Sequence, residues 1–204
     1  MKIAVKFLAG LLVLLFLVSC QGEQKLSSLR PNDVILAFGD SLTEGMGAAP
    51  ELSYPAQLSR LLGREVINAG VSGEVSADGA RRLPGLLDRD DPALLILCHG
   101  GNDLLRKLDR QQLRDNLRRM YEAADQRGIN VVLVAVPAPG LLLKDVDLYR
   151  ELGDELKIPV LTGVLGELLG DNQYKSDAVH LNAQGYRKLA EGIADLLQRN
   201  GALY

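Results

Sequence analysis

Short apolar runs, each cut off by glycine or proline, constrain the fold of this chain more than any other feature. Val34-Ile35-Leu36-Ala37-Phe38 ends at Gly39, Val66-Ile67-Asn68-Ala69 at Gly70, and Leu94-Leu95-Ile96-Leu97-Cys98 just before Gly100-Gly101. Residues 130–136 form a fourth run closed by Pro137, and Pro159-Val160-Leu161 a short fifth. Continuous rather than alternating apolar residues are the pattern of strands covered on both faces of a parallel sheet. Between the runs, residues 54–62, 76–87, 110–127, 146–156 and 183–198 carry apolar residues at helical spacing. Pro84 is expected to bend or divide the second of these helices, Gly128 stops the third, and Asn182 is placed to cap the last.

This alternation predicts a three-layer α/β/α sandwich with a mostly parallel sheet of about five strands and right-handed crossovers. Ligands in such sheets bind outside the carboxyl ends of the strands. Chemistry is therefore expected just after residues 38, 69, 98 and 136.

The first residues follow another logic. Lys2 and Lys6 precede an apolar run over 7–18, too short for a membrane-spanning helix of about 20 residues. A charged start, a short apolar core and small residues after it predict a secretory signal over 1–19. Leu17-Val18-Ser19-Cys20 resembles a bacterial lipobox, which implies that Cys20 becomes the lipid-bearing first mature residue. Several acyl chains on one cysteine suffice for stable anchoring. The polar stretch to Asn32 then reads as a tether over 20–32, with one domain over 33–204. Gln21, where a retained lipoprotein has Asp, implies a cell-envelope protein on the outer membrane, facing the periplasm.

Net charge is −3 with 23 basic residues and no long basic run, so nucleic-acid binding has no support. With Cys20 assigned to the anchor, Cys98 is left without a disulfide partner and reads as a small buried apolar residue. Two histidines and scattered carboxylates show no metal-ligand spacing, and no metal or organic cofactor is expected. Oligomeric state is not readable.

Each carboxyl edge nevertheless carries polar residues. After the first run comes Gly39-Asp40-Ser41-Leu42-Thr43. A serine at a strand-to-helix turn sits beside backbone N–H groups able to hold an oxyanion, although alone Ser41 reads equally as a helix cap. Asp40 reads as structural. A hydroxyl needs a base, and His180 in Asp177-Ala178-Val179-His180-Leu181-Asn182 has a carboxylate three residues upstream to hold its ring. His99 has no acid near it in sequence and reads as pocket-lining or structural. Gly73 in Asn68-Ala69-Gly70-Val71-Ser72-Gly73-Glu74 offers an unobstructed N–H, and Asn102 in Gly100-Gly101-Asn102-Asp103 a side-chain donor. Separately, they read as a turn and a cap.

Taken together, Gly39-Asp40-Ser41-Leu42, Gly73, Gly100-Gly101-Asn102-Asp103 and Asp177-Ala178-Val179-His180 resemble, in order, the four blocks of the GDSL or SGNH hydrolases. The resemblance implies the flavodoxin-like SGNH fold, with Ser41 as nucleophile and Asp177 and His180 completing a triad. It makes the Ser41 amide, Gly73 and Asn102 the oxyanion donors. It is closest to small bacterial periplasmic esterases with thioesterase, lysophospholipase and arylesterase activity, so the expected substrate is a small acyl ester or thioester. Glu74-Val75 stands where the family often has Asp-Thr, and Leu181 where it usually has Pro. Residues 137–144 are apolar for a loop, and Leu141, Leu142 and Leu143 read equally as an acyl-binding wall or as packing beneath a surface loop. A carbohydrate O-deacetylase and an inactive lipoprotein binding module are the competing functions; the second lacks aromatic platforms, with no Trp and 4% aromatic residues.

Overall fold

A computed structural model describes residues 26–140 and 143–203. The expected signal, Cys20, Leu141 and Leu142 lie outside the described residues.

Five parallel strands form one sheet: Ile35–Gly39 (β1), Val66–Gly70 (β2), Leu94–Cys98 (β3), Asn130–Val134 (β4) and Val160–Leu161 (β5). Their order is β2-β1-β3-β4-β5, with Ile35 in register with both Val66 and Leu94. The helices are Ser41–Glu44 (α1), Tyr54–Leu62 (α2), Ser76–Asp90 (α3), Gly101–Leu105 (α4), Arg110–Asp125 (α5), Asp147–Leu156 (α6), Val164–Gly170 (α7) and Ala183–Arg199 (α8). The chain leaves β1 toward one edge and returns across it to reach β3, so right-handed crossovers put α2 and α3 on opposite faces. α8 packs beside α2, and α5 lies between α3 and α6. The result is the three-layer sandwich that the alternation predicts. Both faces being covered explains the apolar runs: Ile35 through Phe38 and Leu94 through Ile96 are fully buried, each Ile, Leu or Phe among them contributing roughly 1.5–3 kcal/mol. Among the described residues no helix is long and apolar enough to cross a membrane.

Four features differ from the sequence reading. Pro84 does not divide α3, which runs unbroken through it; Leu83 and Leu87, both buried, hold the helix against the core on either side. The fourth strand stops at Val134, because its outer neighbour β5 is only 2 residues long. α7 has no polar stripe to announce it; Leu165, Leu168 and Leu169 are all buried. Finally, residues 26–32 are not a free tether. Leu26 and Leu29 are buried, their N–H groups donating to Asn200 O at 2.8 Å and Ala202 O at 2.9 Å. Ser27 N reaches Asn130 Oδ1 at 3.2 Å, and Arg64 holds the carbonyls of Leu29 and Arg30. The segment's two leucines cover apolar surface at the sheet's amino edge and draw it into the domain.

Candidate active site

The sheet's order reverses at β1, and its two neighbours leave a crevice at their carboxyl ends. Backbones come very close here. A Cβ on Gly39 would lie 2.0 Å from Cys98 O, and one on Gly70 2.0 Å from Glu44 N. Two glycines therefore let the turn after β1 settle between its neighbours. Asp40 caps that turn, Oδ1 accepting the Leu42 N–H at 3.1 Å; it is buried, and burial pushes its carboxyl above the usual range. Ser41 is thereby fixed as the first residue of α1.

The loop before α8 brings the other groups to it. His180 Nε2 lies 3.0 Å from Ser41 Oγ, and His180 Nδ1 lies 2.8 Å from Asp177 Oδ2. Asp177 Oδ1 also accepts the N–H groups of Val179 at 2.8 Å and His180 at 2.9 Å. Burial pushes the Asp177 carboxyl up, but the bonds from the His180 ring and the two amides outweigh it and hold it below its ordinary value. An ionised carboxylate only accepts, so the ring hydrogen sits on Nδ1 and the Nε2 lone pair faces the serine. Leu181, fully buried, pairs with Lys175 across an isolated bridge, and Asn182 Oδ1 caps α8 through Gln184 N and Gly185 N, each at 3.0 Å.

Gly73 and Asn102 stand across from this pair. Gly73 turns the loop after β2 with φ of 77°, in the left-handed region glycine tolerates. Asn102, in the first turn of α4, donates from Nδ2 to Glu74 O at 3.0 Å. Arg106 Nη2 donates to Gly73 O at 2.8 Å. Asp103, buried, accepts Ser76 N at 2.8 Å and Ser76 Oγ at 2.6 Å, while Asn116 Nδ2 reaches Ser76 Oγ at 2.9 Å. These bonds lock the start of α3 to α4.

Ser41, Gly73, Asn102 and His180 all line one cleft of about 800 Å³. Its walls are mainly apolar: Met46, Leu105, Val136, Pro139, Leu143 and Leu169. Leu143 thus lines the cleft with Pro137, Pro139 and Gly140, and α7, packed against Leu143, adds Leu169 and Gly170, which sequence reasoning missed. The only clue was the unassigned apolar run around Leu165 and Leu169. His99 is fully buried and does not line the cleft; Gly100 N donates to its Nδ1 at 2.9 Å, and its Nε2 lies 3.1 Å from Glu74 Oε2. Among the described residues no group of three His, Cys, Asp or Glu is placed to hold a metal. Burial pushes the Cys98 thiol well above its ordinary value, so it stays an inert core residue.

Comparison with known proteins agrees with this geometry. The family of GDSL-like lipases and acylhydrolases matches residues 37–188. Esterase TesA of Pseudomonas aeruginosa is 35% identical over 130 residues, which cover 61% of this chain and 65% of that protein, just under two thirds of its length. Thioesterase 1/protease 1/lysophospholipase L1 of Escherichia coli is 28% identical over 174 residues, covering 81% of this chain and 84% of that one. The crystal structure of AlinE4, an SGNH-hydrolase family esterase, superimposes with a TM-score of 0.63 at 34% identity, covering 84% of this chain and 98% of AlinE4. Reaching from β1 into α8, the match takes in every residue of the crevice, and the chain belongs to the GDSL-like lipase/acylhydrolase family.

Proposed function

We propose that this protein is a serine esterase that hydrolyses carboxylic esters and thioesters through an acyl-Ser41 intermediate. His180 Nε2 takes the hydroxyl hydrogen as Oγ attacks the carbonyl carbon. The Ser41 N–H, the Gly73 N–H and the Asn102 carboxamide hold the oxyanion. As the tetrahedral adduct collapses, His180 returns the proton to the departing alcohol or thiol. It then draws a proton from water, which attacks the acyl carbon, and passes that proton to Ser41 Oγ as the acyl–Oγ bond breaks and the acid is released. Asp177 keeps the ring in the required tautomer and stabilises the imidazolium. The observation that carries this reading is the unbroken bond chain from Asp177 through His180 to Ser41, opening on the cleft.

The mostly apolar walls favour a hydrocarbon acyl group over the sugar ring of an O-acetylated carbohydrate. A series of p-nitrophenyl esters of rising acyl length tests this, with an acyl-thioester and Ser41→Ala alongside. The expected result is a preference for chains longer than acetyl and no turnover in Ser41→Ala. A clear acetyl preference would move the assignment to an O-deacetylase, and turnover surviving Ser41→Ala would remove the serine mechanism. For location we propose a bacterial envelope lipoprotein anchored at Cys20, supported by the leader and the lipobox-like Leu17-Val18-Ser19-Cys20. Labelling with a fatty-acid probe should mark the wild type and spare Cys20→Ser.

A further inference from the structure

The carboxamide of Asn102 is held from behind. One of its two N–H groups is spent on Glu74 O at 3.0 Å, leaving the other for the substrate. The side chain of Glu74 fixes where that carbonyl lies. Arg82, from α3, grips the carboxylate bidentately, Nε to Oε1 at 2.8 Å and Nη2 to Oε2 at 2.7 Å. The same guanidinium donates to Ala69 O of β2 at 3.0 Å and lies 4.3 Å from the ring centre of Phe38 in β1. His99, following β3, completes the grip: because Gly100 N donates to Nδ1, the ring hydrogen is on Nε2 and points to Glu74. α3 makes room for that ring with Gly79, where a Cβ would come within 2.5 Å of His99 Nε2.

Arg82 of α3 and His99, just beyond β3, thus converge on one carboxylate whose side chain is 7% exposed, while β1 and β2 hold the Arg82 guanidinium in place. Burial pushes Glu74 up, but the bonds from His99 and Arg82 more than reverse this and bring it down to about 2. A buried charge cluster is weak evidence for stability, since apolar residues of similar volume often serve as well. Its position, directly behind Gly73 and Asn102, gives it another use. We propose that Glu74 is a positioning residue of the oxyanion hole. Clamped by Arg82 and His99, it holds its own carbonyl against Asn102 and so aims that carboxamide, and the adjoining Gly73 N–H, at the carbonyl oxygen of the substrate. The inference rests on the acyl-serine reading above. Donors aimed at charge that develops only during reaction act on kcat and leave substrate binding alone.

The test is a double-mutant cycle on a p-nitrophenyl ester with Glu74→Gln, Asn102→Ala and the pair, the folded fraction of each protein set by thermal melts. Asn102→Ala is expected to lower kcat by about 10²–10³-fold. Glu74→Gln is expected to lower it about 10-fold or more, with KM within about two-fold. The pair should lose little more than Asn102→Ala alone, because no carboxamide remains to be aimed. Additive losses, or a loss carried by KM, overturn the proposal. Should Glu74→Gln fail to fold, Glu74→Asp, which keeps the charge and shortens the reach, enters the same cycle with the same criteria. Turnover surviving Ser41→Ala sinks the acyl-serine reading and this inference together, whereas additivity with Ser41→Ala inactive sinks this inference alone.

Discussion

Tyr186 donates its phenolic hydrogen to Met46 O over 2.7 Å, although 140 residues separate them. The bond ties α8, which follows His180, to the loop that follows Ser41. Gln57 on α2 adds a second tie by donating to Ala183 O at 3.0 Å. Burial holds the Tyr186 hydroxyl well above its ordinary pKa, so it stays a donor across the working range. Tyr186→Phe is expected to cost about 1–2 kcal/mol of stability. It should also lower kcat several-fold by loosening the register of serine against imidazole, measured by urea melts and by kinetics well below the melting temperature. An unchanged kcat would mean that the Ser41–His180 distance is set without this tie.

Asp177 works from an exposed position, its side chain 53% accessible. Asp177→Asn removes the acceptor that selects the ring tautomer, and a kcat loss of about 10²–10⁴-fold is expected. Stability should change by no more than about 1 kcal/mol, because the pair is solvent-screened. A variant that melts early, with kinetics intact, would assign Asp177 to the loop rather than to the reaction.

Glu74 has a folded-state pKa of about 2 against an ordinary 4.5. A depressed carboxylate stabilises the fold fully above its unfolded value and loses that contribution as pH falls through the folded one. The stability gap between wild type and Glu74→Gln should therefore be constant from neutral pH to about 5 and close as pH approaches 2. Urea melts at pH 7, 5, 4 and 3 measure it. A gap still at its neutral value at pH 3 would contradict the assignment of the charge.

Gly170 lines the cleft, and a Cβ built there meets no atom within 4 Å. Gly170→Val should fill part of the acyl wall without backbone strain. The kcat/KM for a decanoyl ester should fall about 10-fold or more, with the acetyl ester nearly unchanged. Equal losses on both esters would place the acyl chain elsewhere in the cleft.

Leu29 is only 3% exposed, within the range of the core, and Leu26 9%. Leu29→Ala should cost about 2–4 kcal/mol, read as a lowered urea midpoint, while a substitution in a free tether would cost nothing.

The sequence was most legible where one property dominates a whole segment. Leu94 through Cys98 could be read as a covered strand because all five residues are apolar, and α5 because Leu113, Leu117 and Met120 recur on one stripe. Ser41, Gly73, Asn102, Asp177 and His180 stood out because each lies in a recognisable block just after a strand or just before the last helix. The supporting residues did not. Arg82 looks like any solvated helix charge, since nothing local shows that it and His99 meet on Glu74. Asp103 and Ser76 are ordinary cap residues until α3 and α4 are placed side by side. Leu26 and Leu29, two apolar residues in a polar stretch, give no period at all. Their burial depends on α8 and the residues after it arriving at the same edge.

That edge has a consequence for orientation. Parallel strands give the sheet two unlike poles; the cleft opens at one, and Leu26 enters the domain at the other, beside the first residue of β4. A fully extended chain from residue 20 to residue 26 reaches only about 20 Å. Were residue 20 to carry the proposed lipid, the bilayer would lie within that reach of the entry pole, and the mouth, at the opposite pole, would look away from it. Such an enzyme would process molecules that diffuse to it from the surrounding compartment, rather than graze on the leaflet that carries it.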